Sequence, residues 1–278
     1  MRRILLALSC LAAVVSGAQP GAQAPPPANA DIVAQAGKYV DAYVEAFSAV
    51  VSEEKQTQKL VRPDGRVKKV RDITADFLLV KTRGIWPEAF RDVIEVDGKP
   101  VRNREDRLKK LFIDNPKAAP ELAKAIAEES GRYNIGVNRR GNSPLLPLIF
   151  LTPLIAEGVR FSGTPAALTF QELRTPTVIK TRRGSGSHNM PSSGTYEIEP
   201  GTGRVLAAEF TADNPDSKIA ATFKVRYAID PKLEISVPVE VTERYWQPAK
   251  PDEDVLEVHA TYASFRRFQV TTGEQIKK

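Results

Sequence analysis

The sequence is poor in the residues that most chemistry needs. Its 278 residues include one cysteine, two histidines and two methionines. Two histidines cannot supply the three or four convergent donors of a zinc centre, and one cysteine cannot form an internal disulfide or a Cys-x-x-Cys redox pair. There is no G-x-S-x-G nucleophile elbow and no P-loop Lys-Ser/Thr. Gly184-Ser185-Gly186-Ser187-His188-Asn189 superficially resembles a phosphate cradle. It joins two expected strands, however, where a cradle precedes a helix, so a hairpin loop is expected. His259 falls on the Glu257/Thr261 side of the last strand and is expected to be solvated. Asp252-Glu253-Asp254 and the Asp213/Asp216 pair lack the alternating ligands of a calcium loop. The expectation is therefore a protein with no catalytic residues, no metal ligands, no cofactor and no enzymatic activity, although carboxylates that converge only in three dimensions escape such a reading.

The first residues read as an export signal. Arg2 and Arg3 precede an apolar run, Ile4 to Val15, interrupted by Ser9 and Cys10, and Ser16-Gly17-Ala18 offers small residues for cleavage. About a dozen apolar residues are too few to span a bilayer, which needs about 20. Cys10 would be the acylated residue of a lipoprotein signal, but Ala7-Leu8-Ser9 fits that motif poorly and the apolar run continues past it. Cleavage near Ala18 is expected, leaving a soluble, cysteine-free chain in the periplasm or outside the cell. The formal charge would fall from +6 to +4 with the loss of Arg2 and Arg3. The remaining basic residues are scattered as pairs, such as Lys68-Lys69 and Arg266-Arg267. That pattern argues against a nucleic-acid partner and leaves room for mild attraction to an anionic membrane surface.

After a Pro/Ala linker at 19–30, a single domain is expected over 31–278. Ile32, Ala36, Tyr39, Tyr43, Phe47 and Val50 recur at steps of three or four, which predicts an amphipathic helix over 32–51 with Asp31 as its N-cap. Arg62-Pro63-Asp64-Gly65, Asp97-Gly98, Glu199-Pro200-Gly201-Thr202-Gly203 and Asp230-Pro231-Lys232 are turn sequences between alternating segments. Phe223, Val225 and Tyr227, then Val237, Val239 and Val241, then Leu256, Val258, Ala260 and Tyr262 carry the period of two. Strands joined this tightly are antiparallel neighbours, and eight to eleven of them curl. Helices are expected at 103–114, opened by Asn103-Arg104-Glu105-Asp106, and at 120–130. Leu145–Ile155 (LLPLIFLTPLI) is the most apolar stretch after the leader. With Pro147 and Pro153 inside it, a buried irregular helix under the sheet is expected; a lid or pocket rim is the functional alternative.

This order of elements resembles the LolA/LolB-like superfamily of periplasmic lipoprotein carriers. The likeness lies in a leader and long helix ending in Ser48 to Glu54, then a polar strand (Lys55–Val61). A strand running into Gly84-Ile85-Trp86-Pro87 follows, and later the Tyr196–Pro200/Gly203–Leu206 hairpin with its terminal meander. Blocks such as Phe90–Val101 and Tyr262–Phe268 look like those of uncharacterised exported bacterial proteins. The resemblance implies an α+β, mainly β fold: an incomplete barrel with the first helix on its concave side, here with a helical insertion at about 103–157. It implies non-enzymatic binding or carriage of a lipid, acyl chain or lipoprotein in the concavity. Phe47, Phe170, Phe210, Phe223, Tyr227 and Val237 would line it, with Leu146 and Phe150 at the mouth. The alternative is an envelope scaffold whose concavity is filled and takes no small ligand.

Overall fold

The computed structural model describes residues 29–48, 50–80, 86–101, 128–137, 139, 142–183, 186–214 and 219–267. The leader, nearly all of the linker and the helix expected at 103–114 lie outside the described residues. Of the helix expected at 120–130, a turn at 128–131 is described.

The first helix, α1, runs Ala30–Phe47. It ends earlier than its periodicity predicts. Ser48 closes it, its hydroxyl and backbone N–H both donating to the Val44 carbonyl at 2.6 and 3.1 Å. The β-branched Val50 and Val51 then belong to the first strand, where their stiff side chains fit better. Asp31 lies within the first turn, and Asn29 precedes the helix without a side-chain cap bond.

Thirteen strands follow among the described residues: β1 (Val50–Val61), β2 (Val67–Val80), β3 (Glu88–Val96), β4 (Lys99–Pro100), β5 (Val159–Thr164), β6 (Ala167–Glu172), β7 (Lys180–Arg183), β8 (Gly186–Asn189), β9 (Ser192–Ile198), β10 (Val205–Asn214), β11 (Ile219–Asp230), β12 (Ile235–Trp246) and β13 (Val255–Arg267). Eleven of them form one sheet in the order β4-β3-β2-β1-β13-β12-β11-β10-β9-β6-β5, and β7 and β8 form a separate ribbon. His188 lies on β8 opposite Thr181, so the loop expected around it is narrower than its composition suggested. Every neighbouring pair is antiparallel, and the sheet is curled but not closed. Register shifts within the β1–β13, β2–β3, β10–β9 and β11–β12 pairs mark irregularities of the kind that sharpen local twist.

The turns form where the sequence places them. Gly65 N–H donates to the Arg62 carbonyl at 2.9 Å, and Gly65 takes φ +81°. Asp97 and Gly98 both adopt positive φ, the geometry of a tight hairpin matched to strand twist. Asp230 Oδ1 accepts from the Lys232 and Leu233 amides at 2.9 and 2.8 Å.

The apolar face of the sheet is covered by α1 and by the Leu145–Ile155 segment. That segment folds as a 3-10 helix (Leu146–Leu151) followed by one α turn, α2 (Pro153–Ala156). It is the buried irregular helix its two prolines predict. Phe150 is fully buried, its ring 4.8 Å from Phe170 and 5.9 Å from Phe210. α1 lies beside it, and Gly37 faces Leu151 where the two come close. A Cβ there would stand 2.9 Å from the Leu151 carbonyl oxygen. Gly37→Val is therefore expected to lower unfolding free energy by about 2 kcal/mol, an overpacking cost that the slightly better helix propensity of valine offsets only in small part. Urea denaturation checks this, and an unchanged midpoint would mean that the helix is not clamped at Gly37.

Candidate functional site

All but one of the sequence-predicted ligand residues are in the packed core. Phe47, Phe150, Phe170, Phe210, Phe223, Tyr227 and Val237 are buried in one cluster, and Leu146 is half-buried against it. Their rings touch in series: Phe170 stacks on Tyr196 at 5.2 Å, Phe210 on Phe223 at 5.1 Å, and Phe223 meets Tyr245 edge-on at 6.2 Å. The structure thus brings these residues together, but with α1 and the 3-10 helix already occupying the hollow that they line. Two tyrosines pin the plug. Tyr196 OH donates to the Pro147 carbonyl and Tyr227 OH to the Pro144 carbonyl, each at 2.6 Å. Burial pushes both phenols well above the ordinary tyrosine value.

At the β1–β13–β12 end, the hollow is filled by charge. Ser52, Glu54, Gln56 and Gln58 alternate along β1 with buried side chains. Glu54 accepts from Arg91 through both oxygens, at 2.5 and 3.0 Å, and from Tyr262 OH at 2.6 Å. Glu243 accepts from Arg139 at 3.0 Å, from Asn142 at 3.0 Å and from Tyr245 OH at 2.6 Å. Asn142 joins the two halves, since its carbonyl accepts from Arg91 at 2.7 Å. Arg139 also donates to Gln56 and Asn134, at 3.1 and 2.9 Å. Burial disfavours the Arg91 charge, but Glu54, through charge and hydrogen bond, together with Tyr262 and Glu243, outweighs it and holds the guanidinium protonated. Burial, with Glu54 and Glu243 adding to it, pushes the Tyr262 and Tyr245 phenols well up. This network straps the segment before the plug to the sheet floor. Sequence reasoning missed it because Ser52 to Lys59 is polar at every position, so no face of β1 stood out.

The open space lies at the mouth, beside α2. A groove of about 590 Å³ runs between α1 and the α2–β5 segment, floored by Val33, Gly37, Leu151, Pro153, Val159 and Phe161. The charged side chains lining it are Lys38 and Arg160, both cationic. On the other side of Pro153 is a groove of about 460 Å³ with apolar walls from Val44, Trp86, Ile149, Leu154 and Ile155. The charged residues among its described lining are Asp41 and Glu45. Leu154, on α2, is 61% exposed. The solvent face of the sheet also carries a depression of about 570 Å³. Of the charged groups along it, Lys224 pairs with Glu209, and His259 pairs with the neighbouring Glu240, each at 3.0 Å. His259 is thus the solvated strand residue its position predicts. Among the described residues no cluster of three potential metal ligands occurs and no helix is long and apolar enough to cross a membrane.

No family model and no curated protein matches the chain. The solved structures with a distant likeness include these two. One is a DUF1329 family protein from Desulfovibrio piger ATCC 29098, 7% identical, covering 84% of this chain and 92% of its own at a TM-score of 0.37. The other is lipovitellin, in a structure concerned with lipid–protein interactions, 7% identical, covering 80% of this chain and 26% of its own at a TM-score of 0.28. Likenesses this remote carry no inference about function.

Two outcomes follow for the strap and the pins. Glu243→Gln leaves Arg139 buried without its counter-charge, and a loss of about 3–5 kcal/mol is expected by chemical denaturation. A loss below about 1 kcal/mol would mean that water already reaches the pair. Tyr43, Tyr196, Tyr227, Tyr245 and Tyr262 all have raised pKa values through burial. Above about pH 10 the unfolded chain releases phenolic protons that the folded chain retains. Stability contributed by these groups is complete below that pH and falls as pH rises beyond it. The share of tyrosinate absorbance that these five of the seven tyrosines contribute should appear in one step with alkaline unfolding; their gradual ionisation before unfolding would contradict their burial.

Proposed function

We propose that this chain is an exported cell-envelope protein that binds lipid without catalysing a reaction, and that the lipid sits at the mouth of the half-barrel. The observation that carries the reading is the groove between α1 and α2–β5. It has an apolar floor, a volume of about 590 Å³, and a rim whose charges are the cations Lys38 and Arg160. Such a groove lies within the roughly 300–1,000 Å³ typical of ligand sites. An acyl chain would gain about 25 cal/mol for each Å² of apolar surface removed from water, with no need for directional bonds. A carboxylate or phosphate head would meet the cationic rim. Export is supported by the basic, apolar and small-residue order of residues 1–18. The absence of a recognisable catalytic motif in the sequence supports the non-enzymatic part.

A second reading, a scaffold that takes no small ligand, is favoured by the packing of the hollow, where Phe47, Phe150 and Phe210 are almost wholly excluded from solvent. It leaves unexplained why two apolar grooves flank an exposed Leu154.

The test is uptake of a fluorescent fatty acid by the purified protein, together with mass spectrometry of its organic extract. Ala34 is an exposed residue of α1 on the groove wall. Ala34→Trp fills the groove without entering the core and should weaken uptake tenfold or more, while Thr222→Trp on the outer face should not. An extract free of lipid with no uptake by the unaltered chain would favour the scaffold reading.

A further inference from the structure

Resting on the lipid reading above, we infer that the ligand is a two-chain zwitterionic phospholipid, with phosphate at Lys38 and Arg160, ammonium at Asp41, and one acyl chain on either side of Pro153. Three features of the mouth carry this inference.

The first is that there are two grooves and they share a wall. Pro153 lines both, so chains leaving one glycerol backbone could enter the two sides of a single side chain. The second is the segregation of charge. Among the described residues, the charged lining of the larger groove is cationic and that of the smaller is carboxylate. Among the described residues neither Lys38 nor Arg160 forms an ion pair, so both cations are available to an incoming phosphate. A fatty acid or a purely anionic phospholipid would satisfy the cationic rim and offer nothing to Asp41.

The third is spacing. Lys38 and Asp41 are both exposed on α1 and stand three residues apart, which puts their Cβ atoms about 5–6 Å from one another on the same side of the helix. A phosphate and an ammonium separated by a two-carbon linker match that interval. Trp86 lines the groove on the ammonium side, and its ring face would add a cation–π attraction to the same group.

Trp86 also supplies the readout. The sequence has two tryptophans, Trp86 and Trp246. In the full chain carrying Trp246→Phe, fluorescence reports the second groove alone. The probes are phosphatidylethanolamine and phosphatidylglycerol with brominated acyl chains, each presented in non-ionic detergent micelles, and the fluorescent fatty acid used above. Brominated phosphatidylethanolamine should quench Trp86 by half or more, saturating at one lipid per chain, and phosphatidylglycerol should need at least tenfold more. Asp41→Asn, at an exposed position that the fold tolerates, should erase that preference so that the two phospholipids quench alike. Equal quenching of the unaltered chain by both phospholipids would overturn the headgroup assignment. Uptake of the fatty acid with no quenching by either phospholipid would overturn the two-groove assignment and leave the lipid reading standing. No uptake of any probe would overturn both.

Discussion

An antiparallel sheet that curls through eleven strands without closing leaves an apolar hollow, and filling that hollow is the constraint on which the rest of this structure depends. Water would leave the rings of Phe170, Phe210 and Phe223 exposed, so the chain supplies its own filler. The filler comes from two places in sequence. α1 precedes the sheet, and the Leu145–Ile155 segment interrupts it. Each is held by means suited to its surroundings. Ring contacts and Tyr196 and Tyr227 hold the apolar segment by its proline carbonyls, and the Glu54–Arg91 and Glu243–Arg139 pairs hold the polar approach to it.

The same solution accounts for where open space remains. A short 3-10 helix and one α turn cannot lie flush against a longer helix along its whole length. At Gly37 there is no room for a Cβ, while grooves open on either side of Pro153. The grooves of the mouth are thus a geometric consequence of the plug. Their lining is not neutral, however. Among the described residues, cations line one side and carboxylates the other, a separation that packing alone does not require.

Much of the architecture was legible in the sequence. The period of two in Phe223–Tyr227 and Leu256–Tyr262, the turns at Pro63-Asp64-Gly65 and Asp97-Gly98, and the proline-broken apolar run all act locally, and local physics fixed their outcome. The end of α1 was misread because Val50 extends the helical stripe, while its β-branched side chain favours the strand that follows. The site was far less legible. Phe47, Phe150, Phe170 and Phe210 were selected as ligand contacts because apolar residues that line a pocket and those that fill one have the same pattern. Only the position of Leu145–Ile155 decides between the two, and no periodicity encodes it. Glu54, Arg91, Arg139 and Glu243 are far apart in sequence and meet only when the registers of β3, β2, β1, β13 and β12 bring Glu54, Arg91 and Glu243 to one end of the sheet, beneath the segment that carries Arg139.

Hydrogen–deuterium exchange in non-ionic detergent micelles with and without phosphatidylethanolamine tests the central claim, that the hollow stays filled and lipid binds at its mouth. Slower exchange in residues 33–45 and 153–161, with no change at 146–151, is the predicted result. Faster exchange at 146–151 on adding lipid would mean that the plug leaves and the chains enter the hollow, which would contradict the account.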